Sequence, residues 1–248
     1  MNLREKILTA SFHAGACHIG SALSCAELVE AIYEVKRPED VFLFAKASGV
    51  AALYCHLFPL KKATEYLKKY PLPNRKVPGV IWSGGSCGQG LSVAVGIALS
   101  KKLRGEKGMV YCLISDGELQ EGQTHEAAMF AGHHKLNNLV VIVDNNKFQG
   151  LGRTEDIIDL GLSSYHFMDA PFYGWRMSQC DGHNREVVAG GLPVPFPDCP
   201  KLLIADTIKG KGVDFMENDK MGYHYANLDE TRYKEALLQV ADKEGSEK

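Results

Sequence analysis

The chain has 248 residues, 45% of them hydrophobic, and a formal net charge of -2 from 28 basic and 30 acidic side chains. That length buries a full core as one α/β domain over residues 1–248, with two small domains the poorer division, and the balanced charge leaves no field to hold nucleic acid or an anionic membrane. The opening residues carry no apolar signal core, and no segment approaches the roughly 20 apolar residues of a membrane span, so a soluble, cytoplasmic protein acting on a small molecule is expected. Seven cysteines lie scattered, with no Cys-x-x-Cys pair and an odd total, which disfavours a zinc site or a disulfide framework. They are expected to be reduced and mostly buried.

In chain order, residues 3–14 carry a helical pattern and a polar loop containing His18 follows. A second helix is predicted from Ser24, because Ser24-Cys25-Ala26-Glu27 has the spacing of a capping box ahead of Leu28, Ile32 and Tyr33. After a glycine-rich stretch, Leu91, Val95, Ala98, Leu99 and Leu103 recur at helical spacing, and residues 109–114 form a short apolar run of strand type. Residues 121–135 read as a helix and 139–143 as a strand, with further strands at 175–180 and 202–205. The charged tail, 242–248, is expected to fray. Such alternation predicts an α/β fold, a doubly wound parallel sheet flanked by helices.

The most informative stretch is Ser115-Asp116-Gly117-Glu118, then a helix, then Asp144-Asn145-Asn146-Lys147-Phe148 directly after the next strand. One strand–helix–strand unit separates the two clusters, so both emerge at the carboxyl ends of parallel strands, where open α/β sheets bind ligands. Asp116 and Asn146 can then converge, and a carboxylate, an amide oxygen and a backbone carbonyl suit a hard cation such as Mg²⁺. Gly117 permits a tight turn beside a diphosphate, and the helix start that follows favours an anion. On spacing alone, ordinary turn chemistry explains the two clusters equally well. Bland readings stand beside the other candidates too. His18 reads as a capping or surface histidine, His224 between Tyr223 and Tyr225 as a packed aromatic, and Lys209-Gly210-Lys211-Gly212 as a solvated turn. Cys87 has no neighbouring base in the sequence to activate it, so packing is its expected role. Residues 84–90 lack the Gly-x-Gly-x-x-Gly of a dinucleotide loop, which disfavours a Rossmann oxidoreductase.

The longer string decides between these. Asp116-Gly117-Glu118-Leu119-Gln120-Glu121-Gly122-Gln123, Ala131-Gly132-His133-His134-Lys135-Leu136-Asn137-Asn138-Leu139 and Asp144-Asn145-Asn146-Lys147 together resemble the thiamine-diphosphate motif of transketolases. His18-Ile19-Gly20-Ser21, Pro78-Gly79-Val80, Gly88-Gln89-Gly90-Leu91, Asp181-Gly182-His183 and Thr207-Ile208-Lys209-Gly210-Lys211-Gly212 follow in the family's order. The likeness spans nearly the whole chain but only the family's first, diphosphate-binding domain. It implies thiamine diphosphate with Mg²⁺, or Ca²⁺ or Mn²⁺ in its place, held by Asp116, Asn146 and the Phe148 carbonyl. Gly117, Glu118 and Lys209 would lie near the diphosphate, and Gly85, Ser86 and Cys87 along the aminopyrimidine. His18 and His224 would face the substrate, and Glu121 would be the interface glutamate linking two cofactor sites. The resemblance further implies a partner subunit carrying the pyrimidine-binding domain, a heterotetramer of two such chains and two partners, and transfer of a two-carbon ketol unit between sugars.

The chain departs from the family at two histidines. Lys46-Ala47-Ser48-Gly49 stands where transketolases carry Lys-Gly-His-Ala, and Leu72 in Tyr70-Pro71-Leu72-Pro73-Asn74 stands where they carry the histidine of Gly-His-Pro-Glu. Losing two groups that bond sugar hydroxyls implies a different donor or acceptor. A pyruvate-using acyl transferase on the same cofactor and a regulatory subunit without catalysis are the competing readings.

Overall fold

Four of the five strands are apolar at nearly every position, as a sheet covered on both faces requires. They are β1 (Val41–Phe44), β2 (Val110–Ser115), β3 (Leu139–Asn145) and β5 (Lys201–Asp206), with the more polar β4 (Arg176–Asp181) at one edge. In the computed structural model, which describes residues 1–159, 174–192 and 197–246, with side chains through 243, they form one parallel sheet in the order β1-β2-β3-β5-β4. Alternate residues of each strand face opposite sides. Tyr111, Leu113, Val140, Ile142, Leu203 and Ala205 join a core with residues of the helices Leu3–Ala14, Ile19–Ser24, Ala26–Val35 and Val50–Leu57. Cys112, Ile114, Val141, Val143, Leu202 and Ile204 join a second core under the helices Gln89–Leu103 and Gly122–His133. Helices on both faces make the sheet doubly wound, as expected. Among the described residues no helix is long and apolar enough to cross a membrane.

Three local expectations are corrected. The capping box at Ser24 does not form: one helix ends at Ser24, the next begins at Ala26, and its cap residue, Cys25, makes no side-chain capping bond. Ser24 Oγ donates instead to the Asp144 carboxylate at 2.5 Å, because a buried charge outcompetes a backbone amide for the hydroxyl. The final helix, Glu230–Ser246, takes up residues 242–246 of the charged tail; residues 247–248 lie outside the described ones. Of the cysteines, Cys25, Cys55 and Cys112 are buried, but Cys17 and Cys87 are exposed and all seven are free. Strand β1 escaped the sequence reading because four residues at a sheet edge are too short to display a period.

Gly90 sets how closely the first turn of Gln89–Leu103 approaches the end of β1. A Cβ there would stand 2.3 Å from the Ala45 Cβ and 3.1 Å from its Cα, and those neighbours are too short to swing aside. Gly90→Ala is therefore expected to cost about 1–3 kcal/mol through forced backbone shifts. Thermal unfolding checks it, at about 2–4 °C per kcal/mol for a chain of this size.

Candidate active site

The carboxyl ends of β1, β2, β3 and β5 bring Lys46, Asp116, Asn146 and Lys209 to one edge of the sheet. Lys46 and Asp144 are 1% and 0% exposed, and Lys46 Nζ lies 2.9 Å from Asp144 Oδ2. Lys46 also donates to the Ser21 carbonyl at 2.6 Å. Asp144 accepts from Ser24 Oγ, from Asn146 Nδ2 at 3.2 Å and from Thr207 Oγ1. Burial opposes the charge on each partner, but the pairing outweighs it: Lys46 is held above its ordinary pKa and Asp144 below.

Asp116 follows β2 directly. Its Oδ1 accepts from the Gly117 amide at 2.8 Å, and its Oδ2 from the Lys147 amide at 2.7 Å and Thr154 Oγ1 at 3.2 Å. Even so, burial and then the Asp144 charge push its pKa up to about 6. Lys147 reaches Asp116 from a left-handed backbone, φ 68°, which L side chains rarely adopt. Asn146 Oδ1 accepts the Phe148 amide at 3.1 Å, and the Phe148 carbonyl accepts Lys209 Nζ at 3.3 Å. Gly117 is not in a positive-φ conformation; what it provides is room, since a Cβ would press on the Gln149 side chain at 3.0 Å.

A cleft of about 300 Å³ opens over these groups. Asp116, Gly117, Glu118, Asn146 and Phe148 line it, together with His18, Gly85, Cys87, Glu121 and His224. Ser86, by contrast, is exposed outside the lining, and Lys209 sits behind it, 1% exposed, against His224 Nδ1 at 2.5 Å. Glu118 accepts from the Ser115 amide at 2.8 Å, from Ser115 Oγ, and from the Gly88 amide at 3.4 Å, which ties the glycine-rich loop to the end of β2. His18, at φ 62°, caps the helix Ile19–Ser24 and packs edge-on to His224 with ring centroids 4.9 Å apart. Its Nδ1 is buried with no partner. Cys87 is exposed rather than packed, but burial of its sulfur, Glu118 and Glu121 raise its pKa, so it is no activated thiol.

Sequence reasoning missed Lys46, Asp144, Ser21, Gln149 and Tyr225. The one signal for them was a charged residue at each strand's carboxyl end: Lys46 after β1 and Asp144 near the end of β3. Ser48 and Leu72, the two departures from the family pattern, both line the cleft. The Leu72 side chain lies over Gly85, where a Cβ would meet its Cδ1 at 2.6 Å, and its carbonyl accepts from the Tyr54 hydroxyl at 2.9 Å.

The oxygen donors fit a hard divalent cation. Asp116, the Asn146 amide and the Phe148 carbonyl reach one cleft, and the carboxyl among them is buried without a cationic partner in contact. Among the described residues no cluster of three or more His, Cys, Asp or Glu side chains suits a softer metal.

The family model for the transketolase thiamine diphosphate binding domain matches residues 70–240. One chain of the two-part apulose-4-phosphate transketolase of Phocaeicola vulgatus is 32% identical, the alignment covering 97% of this chain and 92% of that protein. The 6-deoxy-6-sulfo-D-fructose transketolase subunit SqwG of Clostridium sp. is also 32% identical, over 98% of this chain and 95% of its own length. The crystal structure of Campylobacter jejuni transketolase superimposes with a TM-score of 0.81 at 26% identity, over 97% of this chain. The chain spans 43% of that transketolase's length. It belongs to the transketolase family of thiamine-diphosphate-dependent transferases, matching the domain that binds the cofactor.

Burial, and then the Lys209 charge, hold the His224 imidazole down to about 3. The unfolded chain takes that proton near pH 6.5 and the folded chain does not, so stability falls as the pH drops through that window. His224→Gln keeps an acceptor for Lys209 and removes the titration. Urea unfolding is expected to show a smaller loss of stability between about pH 7 and pH 5 for the variant than for the native protein.

Proposed function

We propose that this chain is the metal- and diphosphate-holding subunit of a two-chain transketolase-type enzyme that moves a two-carbon ketol unit between sugar or sugar-phosphate substrates. A second polypeptide carrying the pyrimidine-binding domain completes the site, and two copies of each chain assemble as a heterotetramer. The observation that carries the reading is the meeting of Asp116, Asn146 and the Phe148 carbonyl in one cleft, each delivered by the carboxyl end of a parallel strand. Mg²⁺ would be held by these three oxygens, and bound thiamine diphosphate supplies the electron sink for cleaving the bond beside the ketose carbonyl.

The chain's own residues do the rest. The Glu118 carboxylate fixes the glycine loop, so Gly85 and Cys87 form a wall with no bulky side chain of their own. Lys209, its pKa lowered to about 8 by burial and Lys46, faces the diphosphate side and donates to His224 Nδ1. That bond leaves the His224 proton on Nε2, directed at the bound sugar, and the neutral ring acts there as a hydrogen-bond donor at physiological pH. His18 Nδ1, buried and unpartnered, takes or gives a proton at a substrate hydroxyl. Glu121 stands exposed at the cleft edge, where a second subunit can reach it.

Ser48 and Leu72 favour a specialised donor over the common ketose phosphates, since an apolar Leu72 offers nothing to a sugar hydroxyl. The naming of the two relatives after apulose 4-phosphate and 6-deoxy-6-sulfo-D-fructose supports the same reading.

In the complex purified with its partner, Asp116→Ala is expected to abolish Mg²⁺-dependent binding of thiamine diphosphate and to lower ketol transfer by at least about 100-fold. Calorimetric titration and product analysis check it. Unchanged transfer would mean that the chain regulates a partner, and carbon dioxide release from pyruvate would mean acyl transfer.

A further inference from the structure

Asn146 is useful to a cation only if its amide presents oxygen rather than nitrogen. The two ends of an amide are nearly identical in shape, and a half-turn of the side chain exchanges acceptor for donor. The structure holds that half-turn in check from both sides. On one side the Phe148 amide donates to Asn146 Oδ1 at 3.1 Å. On the other, Asn146 Nδ2 donates to Asp144 Oδ2 at 3.2 Å and to Ser24 Oγ at 3.3 Å. Turned over, the amide would set its oxygen against the Asp144 carboxylate and its NH₂ against the Phe148 N–H.

Asp144 is itself held. Lys46 Nζ lies 2.9 Å from its Oδ2, Ser24 Oγ donates to the same oxygen, and Thr207 Oγ1 donates to Oδ1. Both members of the pair are essentially without solvent contact, at 1% and 0% exposure. Such a pair is a poor source of stability by itself, because the cost of desolvating two charges roughly cancels their attraction. What it supplies here is orientation. We infer that Asp144, clamped by Lys46, is a positioning residue for the metal ligand Asn146, fixing which end of its amide faces the cation. The inference rests on the reading of the cleft as a cation and thiamine-diphosphate site.

The device is separable from its contribution to folding, because buried ion pairs replaced by apolar residues of similar volume often keep a protein folded. In Lys46→Met with Asp144→Leu both charges go and Asn146 loses its acceptor. In Lys46→Met with Asp144→Asn both charges go, but the new amide can turn its oxygen toward Asn146, with the Thr207 hydroxyl free to accept from its NH₂. Each is introduced into the native gene and the complex purified with its partner. Mg²⁺ is titrated by calorimetry at saturating thiamine diphosphate, and the thermal midpoint is measured alongside.

The half-saturating Mg²⁺ concentration is expected to rise by about 10–100-fold in the leucine variant, the usual effect of losing a group that orients a ligand. The asparagine variant is expected to stay within about threefold of the native complex, since the acceptor is kept. Equal half-saturation in the two variants overturns the inference, whatever happens to the thermal midpoint, because a merely structural pair would move only the latter. If the leucine variant does not fold, a loss of about tenfold or more in the asparagine variant overturns it, and near-native affinity there supports it. A native complex that binds no thiamine diphosphate in the presence of Mg²⁺ is a different failure, that of the proposed function itself.

Discussion

A lysine and an aspartate, neither in contact with water, join the ends of two strands and hold the surrounding structure in register. Lys46 leaves β1 and Asp144 lies near the end of β3, and β2 runs between them. Through the Ser21 carbonyl the pair anchors the short helix that starts at His18, and through Thr207 it anchors the loop that carries Lys209. Four segments far apart in the chain therefore share one charged node. In a low-dielectric interior such a node tolerates little displacement, because any partner drawn away leaves an uncompensated charge behind. The cleft is consequently built on rigid strand ends, the arrangement that holds functional groups most closely in place.

The electrostatics of the cleft show what the scaffold is arranged around. Asp116 is forced toward neutrality by burial and by Asp144, while Lys209 and His224 are forced toward neutrality by burial and by neighbouring cations. Acid and base alike are held away from their ordinary ionisation. A dication beside Asp116 and an anionic diphosphate beside Lys209 would relieve both, which is why the pattern reads as an incomplete site rather than a set of structural ion pairs. A second positioning chain runs on the far side of Lys209. His183 accepts the Ile208 amide at Nε2, 2.8 Å, and meets Glu27 at 3.0 Å through Nδ1, with Arg4 on the same carboxylate. That gives the Asp181-Gly182-His183 string a physical part in holding the lysine's loop.

Much of this was legible along the chain. The strands β2, β3 and β5 announced themselves as apolar runs because both sheet faces are covered, and the Asp116 and Asn146 clusters followed from one strand–helix–strand spacing. Strand β4 was found one residue out of place, while β1 was missed, being only four residues at an edge. Ser24 misled for a different reason: its local pattern is that of a helix cap, and an acceptor 120 positions away took its hydroxyl. Local rules fail where a distant charge offers a better bond.

The sequence by itself determined the period-two and period-3.6 patterns, and with them an α/β sheet with ligand-binding residues after its strands. It also carried the ordered motifs that mark a transketolase and the two histidine losses at Ser48 and Leu72. Only the tertiary structure decided which groups meet. Lys46 and Asp144 stand 98 positions apart, His18 and His224 more than 200, and no periodicity encodes contacts of that range. Burial, too, exists only once the sheet has closed over its helices, and burial is what shifts Asp116, Lys209 and His224 from ordinary side chains into a site.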